Sequence, residues 1–303
     1  LLATRFNKDR LLMRAVNILT LSVASFWFAL RHFRRGDRIL VVTNPPTLPF
    51  VIGLAARLGH SVPTLLVHDV YPEILAATGL LEPKSAIYRL LARLFSVTYR
   101  MFDQIVVLGR DMAEVVAGKV AGEHHRVHII PNWGDVDEIR PIPAGENGFR
   151  KEYGLEGKFV VQFSGNIGRS HDVELLIDAA RWMRDDKHIV FLFVGYGGKS
   201  EAVANAVRDS QENLRFLPRQ PRERLNQMLA ASDATIISFV DGMLGLSVPS
   251  RMYNIMASGV PIIAVAHPRS GLATTVSAGG AGWVLPTGAT ARPDRSGARR
   301  AGC

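Results

Sequence analysis

Cysteine is nearly absent from this sequence of 303 residues, and the one cysteine, Cys303, is the last residue. A disulfide framework is therefore excluded, and a zinc cluster held by cysteines has no support. This cysteine content suits a reduced, cytoplasmic setting. Zinc-finger spacings and RNA-recognition aromatic motifs are also lacking, and the arginines are scattered along the chain. Nucleic acid is therefore not predicted as a partner.

A long apolar segment is lacking as well. The run AVNILTLSVASFWFAL, residues 15–30, contains Asn, Ser and Thr and is shorter than the roughly 20 apolar residues that span a bilayer. Arginines flank it, with Arg14 before it and Arg31, Arg34 and Arg35 after it. The ordinary expectation is a buried helix of a first domain. The alternative is a helix on a membrane surface, with its arginines toward anionic lipid headgroups.

Acidic residues are outnumbered by basic ones. The chain has 36 Lys and Arg against 27 Asp and Glu, which gives a formal net charge of +9. This excess predicts an anionic partner, for which a phosphorylated substrate and an anionic membrane surface are the main candidates. Apolar residues make up 48% of the chain, so its composition is that of a folded globular protein.

Short β-branched runs alternate with helical patterns from residue 39 onward, and the helical patterns lie near residues 47–58, 83–102, 111–118, 172–184, 199–209 and 221–231. The runs are continuously apolar, which is typical of strands buried on both faces of a parallel sheet. This repetition predicts an α/β architecture with two doubly wound parallel sheets in tandem, facing a cleft. The predicted strands are residues 39–43, 64–69, 104–108 and 127–131, then 158–165, 188–195, 214–218, 234–239, 261–266 and 282–286.

A change of composition marks the boundary between the two predicted domains. Residues 132–148 are rich in Pro, Gly, Asn and acids, so we interpret them as a linker between domains at 1–140 and 141–288. A helical pattern over residues 4–33 is an unusual start for a doubly wound domain, so its first strands are expected upstream. The Ala-, Arg- and Gly-rich end, residues 289–303, is expected to be disordered or aberrant.

Two turns after strands of the second domain carry glycines, and ligands of such folds bind beyond the carboxyl ends of strands. In SGNIGRSHD, residues 164–172, Gly165 and Gly168 allow backbone N–H groups to approach an anion, and Arg169 adds a positive charge. The alternative is an ordinary strand-to-helix turn. GYGGKS, residues 195–200, is interpreted as a structural turn with Lys199 exposed near the cleft.

Neither of the common nucleotide motifs is complete in GYGGKS. Phe193 occupies the first glycine position of a P-loop, and Ser200 occupies the third glycine position of a dinucleotide fingerprint. NTPase and dehydrogenase functions are therefore rejected. In PRQPRERL, residues 218–225, Gln220 offers an amide to a planar base. The alternative there is a Pro-started helix with a solvated charged face.

The stretch VPSRMYNIMASGVP, residues 248–261, predicts a helix with Ser250 as N-cap and Arg251 in the first turn. A cation is unfavourable at a helix N-terminus because of the macrodipole. A bound anion, held by free N–H groups and Arg251 together, would make this arrangement favourable. The same helix carries Tyr253 and Asn254. This is the strongest indication of a binding site in the sequence.

A polar pair ends one apolar strand of the first domain. LLVHDVYPE, residues 65–73, puts His68 and Asp69 at the carboxyl end of a predicted strand, which makes them candidates for acid–base catalysis. The alternative is that Asp69 caps the turn ahead of Pro72.

Taken together, these motifs resemble a known family. SGNIGRSHDVELLIDAA, FVGYGGKS, LPRQPRERL and VPSRMYNIMASGVPIIAV resemble, in order and spacing, the glycosyltransferases of family 4. VTNPP, HDVYPE, IVVLGRDM and IIPNWGDVDEIRP are similar to its bacterial polysaccharide-assembly branch. The resemblance implies a GT-B fold of two Rossmann-like domains. It also implies transfer of a sugar from a nucleotide-sugar with retention of configuration, without a metal or other cofactor.

The resemblance also implies roles for individual residues. Gly165 and Asn166 would lie at the donor diphosphate, and Gln220 would lie near the base. Ser250 and Arg251 would bind phosphate or ribose. The predicted donor-binding residues are Gly165, Asn166, Arg169, Lys199, Gln220, Ser250, Arg251, Tyr253 and Asn254. The predicted catalytic residues, with Asp69 facing the reacting sugar, are Asp69 and His68.

The sequence departs from the family pattern at two pairs of positions. Asn166 and His171 stand where many members have an Arg and, five residues later, a Lys, so Arg169 is expected to supply the charge. Leu246 and Asn254 stand where many members have two glutamates. The family's amino-terminal glycine-rich loop and its usual carboxyl-terminal helix are also missing from this sequence, so a fragment with little activity is expected as an alternative.

The resulting hypothesis is a retaining glycosyltransferase that moves a sugar from a UDP- or GDP-sugar to a lipid-linked or growing cell-surface glycan. We expect it in the cytoplasm, at the inner membrane face. One alternative is a nucleotide-sugar epimerase of the same fold, for which His68 and Asp69 are the one candidate acid–base pair. The other is a non-catalytic fragment that binds nucleotide.

Overall fold

The computed structural model describes Thr4, Phe6, residues 11–209 and residues 213–288, with only the backbone of Leu11 and Arg14. The predicted tail, residues 289–303, lies outside the described residues. The chain forms two compact units, and each is described by itself below.

The division between the units differs from the predicted boundary after residue 140. The first unit takes the residues up to Pro131 together with Leu244–Val248, and the second takes Asn132–Met243 and the residues from Pro249 onward. The residues after Pro131 belong to the second unit because they bond there. For example, the Asp135 N–H donates to Asn254 Oδ1 over 3.2 Å.

The first unit contains a four-stranded parallel sheet in the order β1-β2-β3-β4. Its strands follow one another in sequence because each crossover places the next strand beside the last. Its strands are β1 (Arg38–Val42), β2 (Val62–Val67), β3 (Gln104–Val107) and β4 (Val127–Ile129). Its helices are α1 (Leu11–His32), α2 (Leu48–Leu58), α3 (Glu73–Ala77), α4 (Ala86–Tyr99) and α5 (Arg110–Lys119).

Helix α1 buries one face and leaves the other open. Ser22, Ser25 and Ala29 are buried, and the helix packs against α2. The expectation of a buried helix is therefore wrong for the outer face, where a stripe of apolar side chains recurs every three or four residues. These exposed side chains are Leu12, Val16, Leu19, Val23, Trp27 and Leu30. None of the helices within the described residues combines the length and the hydropathy of a membrane span.

The second unit contains a six-stranded parallel sheet in the order β10-β9-β8-β5-β6-β7. The order reverses between β5 and β8, which is where ligands bind in open α/β sheets. Its strands are β5 (Phe159–Asn166), β6 (Ile189–Tyr196), β7 (Leu214–Leu217), β8 (Ala234–Ser238), β9 (Ile262–Val265) and β10 (Gly282–Leu285). Its helices are α6 (Gly148–Glu152), α7 (Val173–Trp182), α8 (Ser200–Arg208), α9 (Leu225–Leu229), α10 (Arg251–Ala257) and α11 (Gly271–Ala278).

The predicted parallel α/β architecture is confirmed. All ten predicted strands are present, with ends displaced by at most two residues. Helices α3, α6 and α11 were not predicted. The helix expected over residues 221–231 is a 3₁₀ turn at Arg222–Arg224 followed by the short α9.

A buried ion pair joins α6 to the start of β8. The Arg150 guanidinium donates to both carboxylate oxygens of Asp233 and to the carbonyl oxygens of Ala231 and Leu155. Asp233 in turn accepts the backbone N–H of Val160 over 2.7 Å. Only 6% of the Arg150 side chain is exposed, against 32% for Asp233. These bonds fasten the first helix of the second unit to the amino-terminal edge of its sheet.

We expect Arg150→Met to lower the free energy of unfolding by about 2–3 kcal/mol. Removing one partner of a fully buried pair costs about 3–5 kcal/mol, and the partial exposure of Asp233 reduces that cost. The measurement is the urea unfolding midpoint of the full chain. The matched control is Arg181→Met, which breaks an exposed pair with Asp178 and should cost less than about 1 kcal/mol. Equal effects of the two substitutions would contradict this interpretation of Arg150.

Candidate functional site

The carboxyl ends of β5 and β6 bring two glycines together in the second unit. Gly165 pairs with Gly195 in the sheet register, and both have positive φ angles, of 123° and 149°. A Cβ atom on Gly195 would overlap the carbonyl oxygen of Gly165. The two glycines therefore allow a close approach of backbone that other residues would prevent.

A cavity of about 370 Å³ opens beside these glycines. Its wall combines backbone of β5 and β6 with side chains that follow β7, so it lies at the carboxyl ends of neighbouring strands. Its volume is in the range of small-molecule sites. The lining residues are Gly165, Asn166, Val194, Gly195, Tyr196, Arg219, Gln220, Pro221, Arg222, Leu225 and Met228.

Arg251 extends from the start of α10 to the end of β5. Its Nη1 donates to the carbonyl oxygen of Ser164 over 2.8 Å, and its guanidinium lies 4.4 Å from the ring centre of Phe163. A Cβ atom on Gly165 would lie 3.0 Å from Nη1, so the glycine makes room for the cation. Burial lowers the pKa of Arg251 to about 10, which still leaves the side chain charged at neutral pH.

The charge of Arg251 has no counter-charge in the described parts of the chain. None of the ion pairs of the structure includes it, and its Nε is buried without a hydrogen-bond partner. A partly buried cation without a carboxylate has an unfavourable free energy. An anionic ligand at the end of β5 would remove that cost.

Residue His171 lies next to Arg251 and is neutral. Burial, followed by repulsion from Arg251, lowers the pKa of His171 to about 3. Its Nδ1 lies 2.7 Å from the carbonyl oxygen of Ser238. A carbonyl oxygen only accepts, so Nδ1 carries the proton and donates it there. Since Nδ1 carries a proton, its 3.3 Å approach to Arg251 Nη2 is a contact and not a hydrogen bond.

The start of α10 differs from the prediction in its details. Ser250 occupies the N-cap position, but its backbone is helical and its side chain makes no capping bond. The N–H groups of Met252 and Tyr253 bond to the carbonyl oxygens of Pro249 and Ser250. The helix spans only seven residues. The free N–H groups that were expected to hold an anion are therefore partly used, and the guanidinium of Arg251 is what remains for that role.

Other predicted donor-binding residues are distributed unevenly around the cavity. Asn166 and Gln220 line it, and Gln220 Nε2 donates to the carbonyl oxygen of Pro218 over 3.0 Å. Arg169 is exposed and is not part of the lining. Lys199 donates instead to the Glu174 carboxylate and to the carbonyl oxygen of His171, each over 2.8 Å. Its positive charge is therefore already paired.

Ser250, Arg251, Tyr253 and Asn254 lie outside the cavity lining. Arg251 Nη1 is nevertheless close to Gly165, which is part of that lining. Burial raises the pKa of Tyr253, and a Cβ atom on Gly134 would lie 2.6 Å from the Tyr253 carbonyl oxygen. The Asn254 side chain accepts the N–H of Asp135. Tyr253 and Asn254 therefore pack against the chain that enters the second unit.

Arg219 and Tyr196 line the cavity and were missed in the sequence. The Arg219 guanidinium lies 5.7 Å from the ring centre of Tyr196. The signal was available, because Tyr196 ends β6 and Arg219 follows β7 by two residues.

In the first unit, Asp69 lies on a short bridge to Ser247 beyond β2. The N–H groups of His68 and Asp69 both donate to Oγ1 of the buried Thr43, over 3.0 and 3.2 Å. The Val70 N–H donates to the carbonyl oxygen of Leu246 over 2.9 Å. Burial raises the pKa of Asp69, and a hydrogen bond from the Ser247 side chain offsets part of that rise. The carboxyl of Asp69 is thus fixed by its neighbours, as an acid–base group requires.

Comparisons with known proteins agree with this architecture. The family model of group 1 glycosyl transferases matches residues 146–292. WbjE of Pseudomonas aeruginosa, named as a glycosyltransferase, is 36% identical over 93% of this chain and 70% of its own length. WcaI of Escherichia coli K12, a glycosyl transferase named for colanic acid biosynthesis, is 28% identical over 82% of this chain and 62% of its own length.

A solved structure shares the fold. HepE of Anabaena, in complex with UDP, superposes with a TM-score of 0.69 at 16% identity, covering 91% of this chain and 71% of that one. The two parallel-sheet units therefore have the GT-B fold of glycosyltransferases. Together with the identity to WbjE over most of both chains, this shows that the chain belongs to the group 1 glycosyltransferases.

We expect His171 to make the fold sensitive to acid. Its pKa falls from 6.5 to about 3 on folding, so the unfolded chain binds the extra proton between these values. Its contribution to stability is complete above pH 6.5 and is lost as pH falls toward 3. Between pH 7 and pH 5 that loss is about 2 kcal/mol.

The measurement is urea unfolding of the parent chain and of His171→Gln at pH 7 and pH 5. The parent should lose about 2 kcal/mol more than the variant over this interval. His124→Gln is the matched control, because His124 is exposed. An equal loss in the parent and in His171→Gln would show that His171 is not buried neutral.

Proposed function

We propose that this chain moves a sugar from a UDP- or GDP-sugar to a lipid-linked or growing cell-surface glycan, with retention of configuration. The observation that carries the proposal is the unpaired Arg251 guanidinium at the end of β5, next to the backbone of Gly165. A nucleoside diphosphate would supply the missing negative charge. HepE, a protein of the same fold, has been solved with UDP and with UDP-glucose, which supports a nucleotide-sugar donor.

In this proposal the donor lies along the cavity of the second unit. Its diphosphate contacts Arg251 and the backbone at Gly165 and Asn166, and its base occupies the part lined by Gln220 and Arg219. The departing nucleoside diphosphate gains negative charge as the glycosidic bond breaks. A fixed guanidinium stabilises that charge more than it stabilises the bound donor. We assign that role to Arg251, and no step of the proposal depends on a metal.

The names of the relatives support a proposal for the acceptor. WcaI is named for colanic acid biosynthesis, and the chain has the net positive charge of a protein that works near anionic lipid. We therefore propose a glycan acceptor carried on a lipid at the inner membrane face. Asp69, with its raised pKa, is proposed as the polar group that contacts the reacting sugar.

We expect Arg251→Met to weaken the binding of UDP or GDP by roughly 10- to 100-fold, because a hydrogen bond to a charged group contributes about 1.5–3 kcal/mol. Isothermal titration measures the affinities. The same substitution should leave the stability of the unliganded chain unchanged or higher, because it removes a buried charge without a partner. Arg269→Met, at an exposed position, is the control. If the parent chain binds neither nucleotide, or if Arg251→Met binds as tightly as the parent, the donor site is wrong.

Asp69→Asn should slow sugar transfer by roughly 10²- to 10⁴-fold, the range for a positioned acid–base group, and leave nucleotide affinity within about twofold. Transfer is measured with labelled UDP- and GDP-sugars and a lipid extract of bacterial cell envelopes. NMR of the product gives the anomeric configuration, and an inverted product would contradict retention. Asp103→Asn, the same change at an exposed position of the first unit, is the matched control and should leave the rate unchanged. An unchanged rate of sugar transfer for Asp69→Asn would show that Asp69 has no catalytic role.

The alternatives give different results in the same experiment. An epimerase would convert a UDP-sugar such as UDP-GlcNAc without any acceptor, and NMR would show the epimer. A non-catalytic fragment would bind nucleotide and transfer nothing. The chain spans 70% of the length of WbjE and 62% of the length of WcaI. The activity of a full-length glycosyltransferase is therefore a proposal for this chain.

A further inference from the structure

The outward face of α4 carries a row of four exposed aliphatic side chains. They recur after three, four and three residues, so they lie on one side of the helix. We name this row the α4 stripe, and its members are Ile87, Leu90, Leu94 and Val97. Their exposed fractions are 62%, 67%, 41% and 50%. Aliphatic side chains in a continuous exposed row are a sign of an interaction surface.

The opposite face of α4 is fixed against the loop that follows Asp69. Phe95 stacks on Tyr71 with ring centres 5.7 Å apart, and Tyr99 is buried. The helix start is also fixed, because Ser85 Oγ accepts the N–H of Tyr88. The helix therefore has no freedom to rotate the α4 stripe inward.

Positive charges border the α4 stripe. Arg89 and Arg93 are exposed on the same helix, and Arg100 follows its last residue. The helix contains neither Asp nor Glu. Among the described residues, no carboxylate forms an ion pair with Arg89 or Arg93. The face is thus an apolar row with a basic edge, which is the pattern of helices that lie in the interface of an anionic bilayer.

We propose that the α4 stripe and its flanking arginines dock on the surface of an anionic lipid bilayer. The aliphatic side chains enter the boundary between headgroups and acyl chains, and the arginines contact lipid phosphates. A second copy of this chain fits the face less well. Pairing of the face with itself about a two-fold axis would bring its arginines together, with no carboxylate on the helix to neutralise them.

Docking through α4 has a consequence for catalysis that rests on the proposed function. Asp69 is two residues before Tyr71, which packs on the inner face of α4. The Asp69 loop therefore lies about one helix diameter, roughly 10 Å, from the proposed bilayer surface. A glycan carried on a lipid headgroup would be presented at that depth.

The experiment is flotation of the full chain with two kinds of vesicle, phosphatidylcholine alone and phosphatidylcholine mixed with phosphatidylglycerol. We expect binding to the mixed vesicles that weakens with salt. Leu90→Glu with Leu94→Glu should abolish it. Arg89→Gln with Arg93→Gln should weaken it by roughly 25-fold, about fivefold for each arginine, and should reduce its salt dependence.

The matched control makes the same change on the exposed stripe of α1, with Leu19→Glu and Val23→Glu, and it should retain most of the binding. The proposal is overturned if the parent chain does not bind the mixed vesicles, or if the α4 variant binds them as well as the parent does. It is overturned too if the α1 variant loses as much vesicle binding as the α4 variant. It is also overturned if sedimentation shows a dimer that Leu90→Glu separates, since the face would then bind protein. Nucleotide titration and thermal unfolding of each variant separate this outcome from a failed donor site or a misfolded chain.

Discussion

The partly buried guanidinium of Arg251 is the constraint on which the candidate site of the second unit depends. It requires the carbonyl oxygen of Ser164 as an acceptor and the ring of Phe163 beneath it. It also requires a glycine at position 165, where a Cβ atom would press on Nη1. Beside it, His171 stays neutral because it is buried and because Arg251 would repel a second positive charge. These contacts hold the positive charge of Arg251 at the end of β5, and no carboxylate among the described residues forms an ion pair with it.

The register of β5 and β6 places Gly165, next to Arg251, at the edge of a cavity. Gly165 and Gly195 lie side by side at the ends of β5 and β6 and line the same cavity, and a ligand can approach the exposed backbone of Gly165. The chain after β7 brings Arg219 and Gln220 to the same opening. Arg251 contacts the end of β5, which is one of the two strands between which the strand order of the sheet reverses. Arg251 comes from a different element, α10, and so the site depends on the packing of the whole sheet.

The sequence predicted the sheets well because buried parallel strands are continuously apolar, and all ten runs were visible. It missed α3, α6 and α11, which are only five to eight residues long and leave little periodicity to read. Arg251 was found because a cation in the first turn of a helix is unusual. The pairing of Lys199 with Glu174 could not be predicted, because it joins residues brought together only by folding. Arg219 could have been predicted, because it follows the end of β7 by two residues, but its contact with the ring of Tyr196 depends on the pairing of β6 and β7.

The short segment Leu244–Val248 belongs to the first unit, although the chain on both sides of it belongs to the second. Its backbone supplies the acceptor for Val70 and the partner for Asp69, and Asp111 holds its Gly245 N–H. The chain thus crosses between the units three times. A fragment that ends at Pro131 would lack the residues that fix Asp69, and a fragment that begins at Asn132 would carry an apolar loop with nothing to pack on. The units are separate in their cores but cannot be separated by a single cut.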